Sequence, residues 1–152
     1  MSYFEAAVQT TGAAAGAAFC MLQNTGATGK GRMRLRELGL TTNAGTLSSV
    51  GLIRAATVGT TSGSPTPGQV TDDLDTTTPL GQIVIGWSVA PTIAGTPLYL
   101  RQFVAAAVQG SGIVWTWPIE APLVVSPTAG LLLWNFGGGA GSALSVYARW
   151  EE

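Results

Sequence analysis

The densest group of charged side chains in this sequence is basic. Four of the seven Lys and Arg residues recur at every second position of the stretch GKGRMRLREL: Lys30, Arg32, Arg34 and Arg36. In an extended strand this spacing places all four side chains on one face, whereas on a helix they would scatter around the axis. A positive face can bind nucleic acid, an anionic membrane or an acidic protein surface. The simplest alternative is a solvated outer face.

Among these partners we expect acidic protein groups. The net charge is −1 and the remaining basic residues are isolated along the chain, which disfavours nucleic acid. The opposite face of the strand, with Met33, Leu35 and Glu37, is short and interrupted by a charge, which disfavours a membrane. We therefore predict contacts to carboxylates of a second protein or of a neighbouring copy, since guanidinium groups bind carboxylates in a bidentate fork.

Side chains for catalysis or metal binding are scarce. The sequence has no His, which excludes Ser-His and Cys-His nucleophiles and His-based metal sites. Asp72, Asp73 and Asp75 lie in a turn-rich stretch without the spacing of an EF-hand. The stretch from Asn24 to Gly31 lacks the first Gly and the closing Ser or Thr of a phosphate-binding loop. We expect no enzyme activity, no cofactor and no metal.

Two of the five Trp residues, Trp115 and Trp117, alternate within IVWTWP. Both rings should therefore lie on one face of a strand. They belong either to a core or subunit interface, or to a carbohydrate-binding platform. A ring exposed on a concave face would favour the sugar, whereas burial between subunits would favour the interface.

The composition predicts a protein whose surface is covered by partners. Apolar residues make up 46% and charged residues 10% of the chain, against a usual charged fraction of roughly 25%. Such a neutral surface favours self-association into a homo-oligomer. The lone Cys20 lies in an apolar run and should be a buried thiol. The apolar stretch 12–22 has no basic residues before it and is too short to span a membrane, so we expect a soluble protein that is not secreted.

Short runs with a period of two dominate the chain, and each is bounded by turn-forming residues. The runs are Tyr3–Gln9, Ala17–Asn24, Arg32–Leu38, Ser49–Val58, Gln82–Val89, Gly112–Trp117, Leu131–Phe136 and Ala143–Trp150. The segment Pro97–Gly110 fits either a helix or a strand, and its β surroundings favour a strand. We predict one all-β domain over 1–152, an antiparallel jelly-roll-like sandwich with a long polar loop over 59–79.

Several stretches resemble a family of small head proteins of tailed bacteriophages. They are RLREL (34–38), SSVGL (48–52), WTWP (115–118), LVV (123–125), LLLWNFGG (131–138) and SVYARWE (145–151). The resemblance implies a jelly-roll decoration (cement) protein, made in the host cytoplasm, that binds the outer surface of an icosahedral capsid. It implies the major capsid protein shell and the chain itself, commonly as a trimer, as partners. The alternative is a carbohydrate- or receptor-binding module of a virion fibre or spike.

Overall fold

The computed structural model describes residues 1–28, 31–72 and 74–152, and none of these is helical. The described residues form antiparallel β-structure, which confirms the all-β prediction. The strands are β1 Tyr3–Gln9, β2 Ala18–Asn24, β3 Met33–Thr42, β4 Ser48–Arg54, β5 Thr60–Thr61, β6 Thr66–Pro67, β7 Gln69–Val70, β8 Gly81–Val84, β9 Trp87–Val89, β10 Arg101–Ala105, β11 Gly112–Thr116, β12 Leu123–Val125, β13 Gly130–Asn135 and β14 Leu144–Glu151.

Most of the strands belong to two sheets. The first, here called the open sheet, has the order β11-β3-β14-β1-β7, with β12 also paired to β3. The second, the covered sheet, has the order β10-β4-β13-β2-β8-β6, and β5 and β9 form a separate ribbon. Neighbouring strands in sequence often lie in different sheets, so most pairs join segments far apart in the chain.

The two sheets pack face to face around one apolar core. Residues of β3 and β14 in the open sheet alternate inward, as expected for a sheet with one solvated face. They meet inward residues of the covered sheet across a small void. The lining of this void includes Leu38, Val146 and Ala148 from the open sheet and Cys20, Leu52 and Leu133 from the covered sheet.

The outer faces of the two sheets differ in their covering. On the covered sheet, Met21 and Leu132 point outward yet are buried. The chain itself covers them, because Trp87 of β9 and Tyr99, just before β10, pack against this face. The open sheet lacks such a covering and exposes most of its outer side chains.

A β-bulge interrupts the regular alternation of β3. Leu35 pairs with Trp150 and Glu37 with Arg149, so that Arg36 is the additional residue. The next buried side chain after Leu35 is Leu38, which places both Arg36 and Glu37 on the outer side. The prediction that Glu37 shares a face with Met33 and Leu35 is therefore wrong, because a bulge shifts the register by one residue.

Two further expectations can be compared with the strands. The strand prediction for Pro97–Gly110 is confirmed only for the centre of the segment, where β10 spans Arg101–Ala105. The segment 59–79 is more structured than a polar loop, since it contains β5, β6 and β7. Here Gly68 is buried against the Trp150 ring, and only a residue without a Cβ permits so close an approach. Among the described residues, no helix is long and apolar enough to cross a membrane.

Candidate contact surface on the open sheet

The outer face of the open sheet carries a row of charged and polar side chains. Arg149 on β14 lies 3.8 Å from the carboxylate of Glu5 on β1, and both side chains are more than half exposed. Tyr147 lies over Gly39, where any Cβ would collide with the phenol ring. The hydrogen-bonding carboxylate of Glu37 raises the pKa of Tyr147, with partial burial adding to the effect. The Tyr147 hydroxyl therefore stays protonated well into the alkaline range.

Arg36 is the most tightly held basic residue of this surface. Its guanidinium pairs with the Glu151 carboxylate, and the two side chains are only 16% and 1% exposed. Its Nη1 also donates a hydrogen bond of 2.8 Å to the carbonyl of Pro118. Because both contacts lie within the chain, Arg36 stabilises the fold, and little of its guanidinium remains free to bind a partner.

The described residues of the predicted basic face differ in position and burial. Lys30 lies outside the described residues. Arg32 is exposed but precedes β3, which begins at Met33. Arg34 lies on β3 opposite Glu151 and is partly buried. Among the described basic residues of this face, Arg32 and Arg34 form no ion pair, and the more distant Arg149 forms only the exposed pair with Glu5.

The two predicted Trp contact residues have different environments. Trp115 is 6% exposed and belongs to the core between the sheets, so little of its ring is accessible to a partner. Trp117 follows the end of β11 and is partly buried against the same core. The guanidinium carbon of Arg101 lies 5.9 Å from the centre of its ring, a distance at which a cation is attracted to an indole face.

Trp117 also lines a groove of about 310 Å³. Aromatic, aliphatic and charged groups share its wall: Tyr3, Phe4, Arg36, Glu37, Thr71, Thr116, Trp117, Ile119, Arg149 and Trp150. Aromatic rings beside hydroxyl, carboxylate and guanidinium groups form the mixed lining that small polar ligands require. The groove joins part of the predicted basic face to one of the predicted Trp residues.

Several residues of this surface were not predicted as contacts. Alternation along β14 places Tyr147 and Arg149 outward, which the sequence indicates. Their partners Glu5 and Glu37 come from β1 and β3, and only the pairing register joins them. In the part of the chain that the structure describes, which leaves out Asp73, no group of three or more His, Cys, Asp or Glu residues is placed to hold a metal ion.

Comparisons with known proteins do not assign this surface. No protein family, curated protein or solved structure matches the chain.

Proposed function

We propose that this chain is a structural virion protein that decorates and stabilises an icosahedral phage capsid by binding the outer shell as a homo-oligomer. The observation that carries the proposal is the difference between the two sheets. The covered sheet is buried on both faces by the chain's own residues along its central strands, although its edge strand β10 is exposed. The open sheet presents a broad, uncovered face of short polar, charged and aromatic side chains, which suits a contact with a large protein surface better than an enclosed small-molecule site.

We further propose that the two sheets form a jelly roll. A jelly roll is a long antiparallel hairpin of eight strands that is rolled into two sheets, so that the first strand pairs with the last. The eight longest segments of the chain follow this scheme. β1 pairs with β14, β2 with β13, β3 with β11 and β4 with β10. This nested order supports the proposal, and β6, β7 and β8 extend the opposite edges.

In this proposal, apolar burial supplies most of the binding free energy and the basic residues orient the subunit. Exposed ion pairs contribute only about 0–1 kcal/mol each. Arg32 and Arg34 are available to acidic groups of the shell, and Arg149 can exchange its exposed pair with Glu5 for such a group, whereas Arg36 is engaged by Glu151. Their contribution should weaken as salt is added.

Particles of the phage that encodes this chain provide the test. Quantitative mass spectrometry of purified virions should find the chain in many copies per particle. Recombinant chain should rebind particles stripped of it. The variant Arg32→Gln/Arg34→Gln/Arg149→Gln should keep its circular dichroism spectrum and bind with lower occupancy than wild type, by a larger margin at low salt than at high salt. Absence of the chain from purified virions would overturn the proposal.

The groove beside Trp117 favours a second function, a carbohydrate- or receptor-binding module of a virion fibre or spike. A partly exposed Trp within a concave, mixed polar lining is the feature that a sugar ring requires. A glycan array followed by titration of any retained sugar tests it. Trp117→Ala should abolish such binding, whereas Trp134→Ala, on the covered sheet, should retain it. Failure of every glycan to bind leaves the decoration role as the better account.

A further inference from the structure

The outer edge of β11 differs from the other edges of the two sheets. β11 pairs with β3 on one side, and no described strand pairs with its other side. Its sequence, GIVWT, contains no charge and no Pro, and no bulge interrupts its pairing with β3. Soluble proteins usually protect exposed edges with charges, Pro or bulges. At the opposite edges the strands are two residues long, and β6 ends in Pro67.

Backbone hydrogen bonds indicate which groups of β11 are unpaired. Trp117 donates its N–H to the carbonyl of Arg36, and Thr42 donates to the carbonyl of Ser111, both at 2.9 Å. Ser111, Ile113, Trp115 and Trp117 therefore direct their backbone N–H and C=O groups toward β3. Antiparallel alternation then directs the N–H and C=O groups of Gly112, Val114 and Thr116 away from the sheet.

We propose that this edge pairs with the β11 edge of a second copy of the chain, antiparallel and across a two-fold axis. Val114 of each copy would exchange two backbone hydrogen bonds with Val114 of the other, and Gly112 would lie opposite Thr116. No charge opposes a like charge in this register, and the facing valines form a favourable β-branched pair. The two open sheets would become one continuous sheet.

The direction of the strands favours pairing of β11 with β11 of a second copy over pairing with β7, the other edge strand of the open sheet. Every pair in the order β11-β3-β14-β1-β7 is antiparallel, so β7 runs in the same direction as β11. A head-to-tail joint along a common strand axis would make β7 and β11 a parallel pair, which is slightly less stable per residue. It would also involve only the two residues of β7.

This contact goes beyond the proposed binding to a shell and does not depend on it. A two-fold pair joins two copies. The trimer that the resemblance implies needs a different surface, because three copies cannot share one two-fold contact.

Disulfide trapping tests the pair with a matched control. Val114→Cys and Val104→Cys are each made in a Cys20→Ala background, so that the introduced thiol is the only one. Val114 is 52% and Val104 57% exposed, and both lie on edge strands. Mild oxidation at micromolar concentration should give at least fivefold more covalent dimer for Val114→Cys. Equal cross-linking of the two variants, or none for Val114→Cys, would overturn the proposal.

Hydrogen exchange of the wild-type chain gives an answer even if the cysteine variants fold poorly. The amides of Gly112, Val114 and Thr116 should be protected at high chain concentration and lose protection on dilution. The variant Val114→Lys should lose this protection while it keeps its circular dichroism spectrum, because two lysines would face each other across the axis. Protection that arises only on virions, and not in the free chain, would assign the edge to another protein and reject self-pairing.

Discussion

The indole Nε1 of Trp150 donates a hydrogen bond of 2.8 Å to the carboxylate of Glu152. The same carboxylate accepts bonds of 2.8 and 2.7 Å from the backbone N–H groups of Leu80 and Gly81. Gly81 begins β8 of the covered sheet, whereas Trp150 belongs to β14 of the open sheet. One side chain therefore connects the two sheets at this end of the molecule.

We expect Glu152→Ala to lower the free energy of unfolding by about 1–3 kcal/mol, because it leaves partly buried donors without an acceptor. Glu152→Gln keeps one acceptor oxygen and should cost less. Urea unfolding followed by Trp fluorescence measures both variants. Glu120→Ala, at an exposed position, is the control and should change stability by under about 0.5 kcal/mol. Equal losses of stability for Glu152→Ala and Glu120→Ala would show that the Glu152 carboxylate does not stabilise the contact between the sheets.

Asn135 should be the most sensitive polar residue of the core. Its side chain is buried, and its Nδ2 donates to the carbonyls of Ala13, Ala14 and Gly139 at 2.9, 3.1 and 2.9 Å. Its Oδ1 accepts from the N–H of Gly137 at 3.0 Å. The side chain thus joins the connection after β1 to the glycine-rich turn after β13.

We expect Asn135→Asp to lower the free energy of unfolding by about 2–4 kcal/mol, although the side chain hardly changes in volume. It removes the amide donors and places a carboxylate beside three carbonyl oxygens. Protonation of the introduced carboxylate at acidic pH should restore part of the stability, because a neutral carboxyl can donate one hydrogen bond. Denaturant unfolding at neutral and acidic pH, with wild type measured in parallel, detects this. An equal difference from wild type at both pH values would show that the amide bonds are not the cause.

Hydrophobic alternation was sufficient to predict the main strands. The run Tyr3–Gln9 matches β1 at both ends, and the predicted burial of Cys20 is confirmed. The three residues of β12 were missed, since so short a strand depends on its neighbour β3 more than on its own sequence. The two residues of β5 were missed for the same reason, whereas the predicted run Gln82–Val89 divides into β8 and β9.

The candidate surface was less predictable because it depends on pairing between distant segments. The predicted shared face of Met33, Leu35 and Glu37 assumes a regular strand, and the bulge at Arg36 violates that assumption. The ion pair of Arg36 with Glu151 joins residues far apart in sequence. The environments of Trp115 and Trp117 also differ although their spacing is ideal, because β11 ends between them, at Thr116.

Arg36 and Arg34 should respond differently to the same substitution. Arg36→Gln leaves the buried carboxylate of Glu151 without its cation and should cost about 3–5 kcal/mol. Arg34→Gln removes a partly exposed charge and should cost under about 1 kcal/mol. The double variant Arg36→Gln/Glu151→Gln should recover much of the loss, since no charge remains unpaired. Thermal unfolding of the three variants measures this. A double variant as unstable as Arg36→Gln alone would show that packing, and not charge, dominates.

The final prediction concerns alkaline pH and the buried thiol of Cys20. Burial raises the pKa of Cys20 from 9.0 to about 12, because the apolar core disfavours the thiolate. Below pH 9 the thiol is neutral in both the folded and the unfolded chain, so its contribution to stability is fully present. Between pH 9 and about 12 only the unfolded chain loses this proton, and stability should fall by about 1.4 kcal/mol per pH unit from this group alone.

Cys20→Ala should remove that component of the slope, although its cavity lowers stability at every pH. Ionisation of Tyr99 and Tyr147 also lowers stability at alkaline pH. Burial raises the pKa of Tyr99, and the Glu37 carboxylate raises that of Tyr147. The slopes are therefore compared between pH 9 and 10, below the ordinary tyrosine pKa of about 10. Urea unfolding at several pH values in this range gives both slopes. Identical slopes for the wild type and Cys20→Ala would mean that the thiol ionises as readily in the folded chain as in the unfolded one.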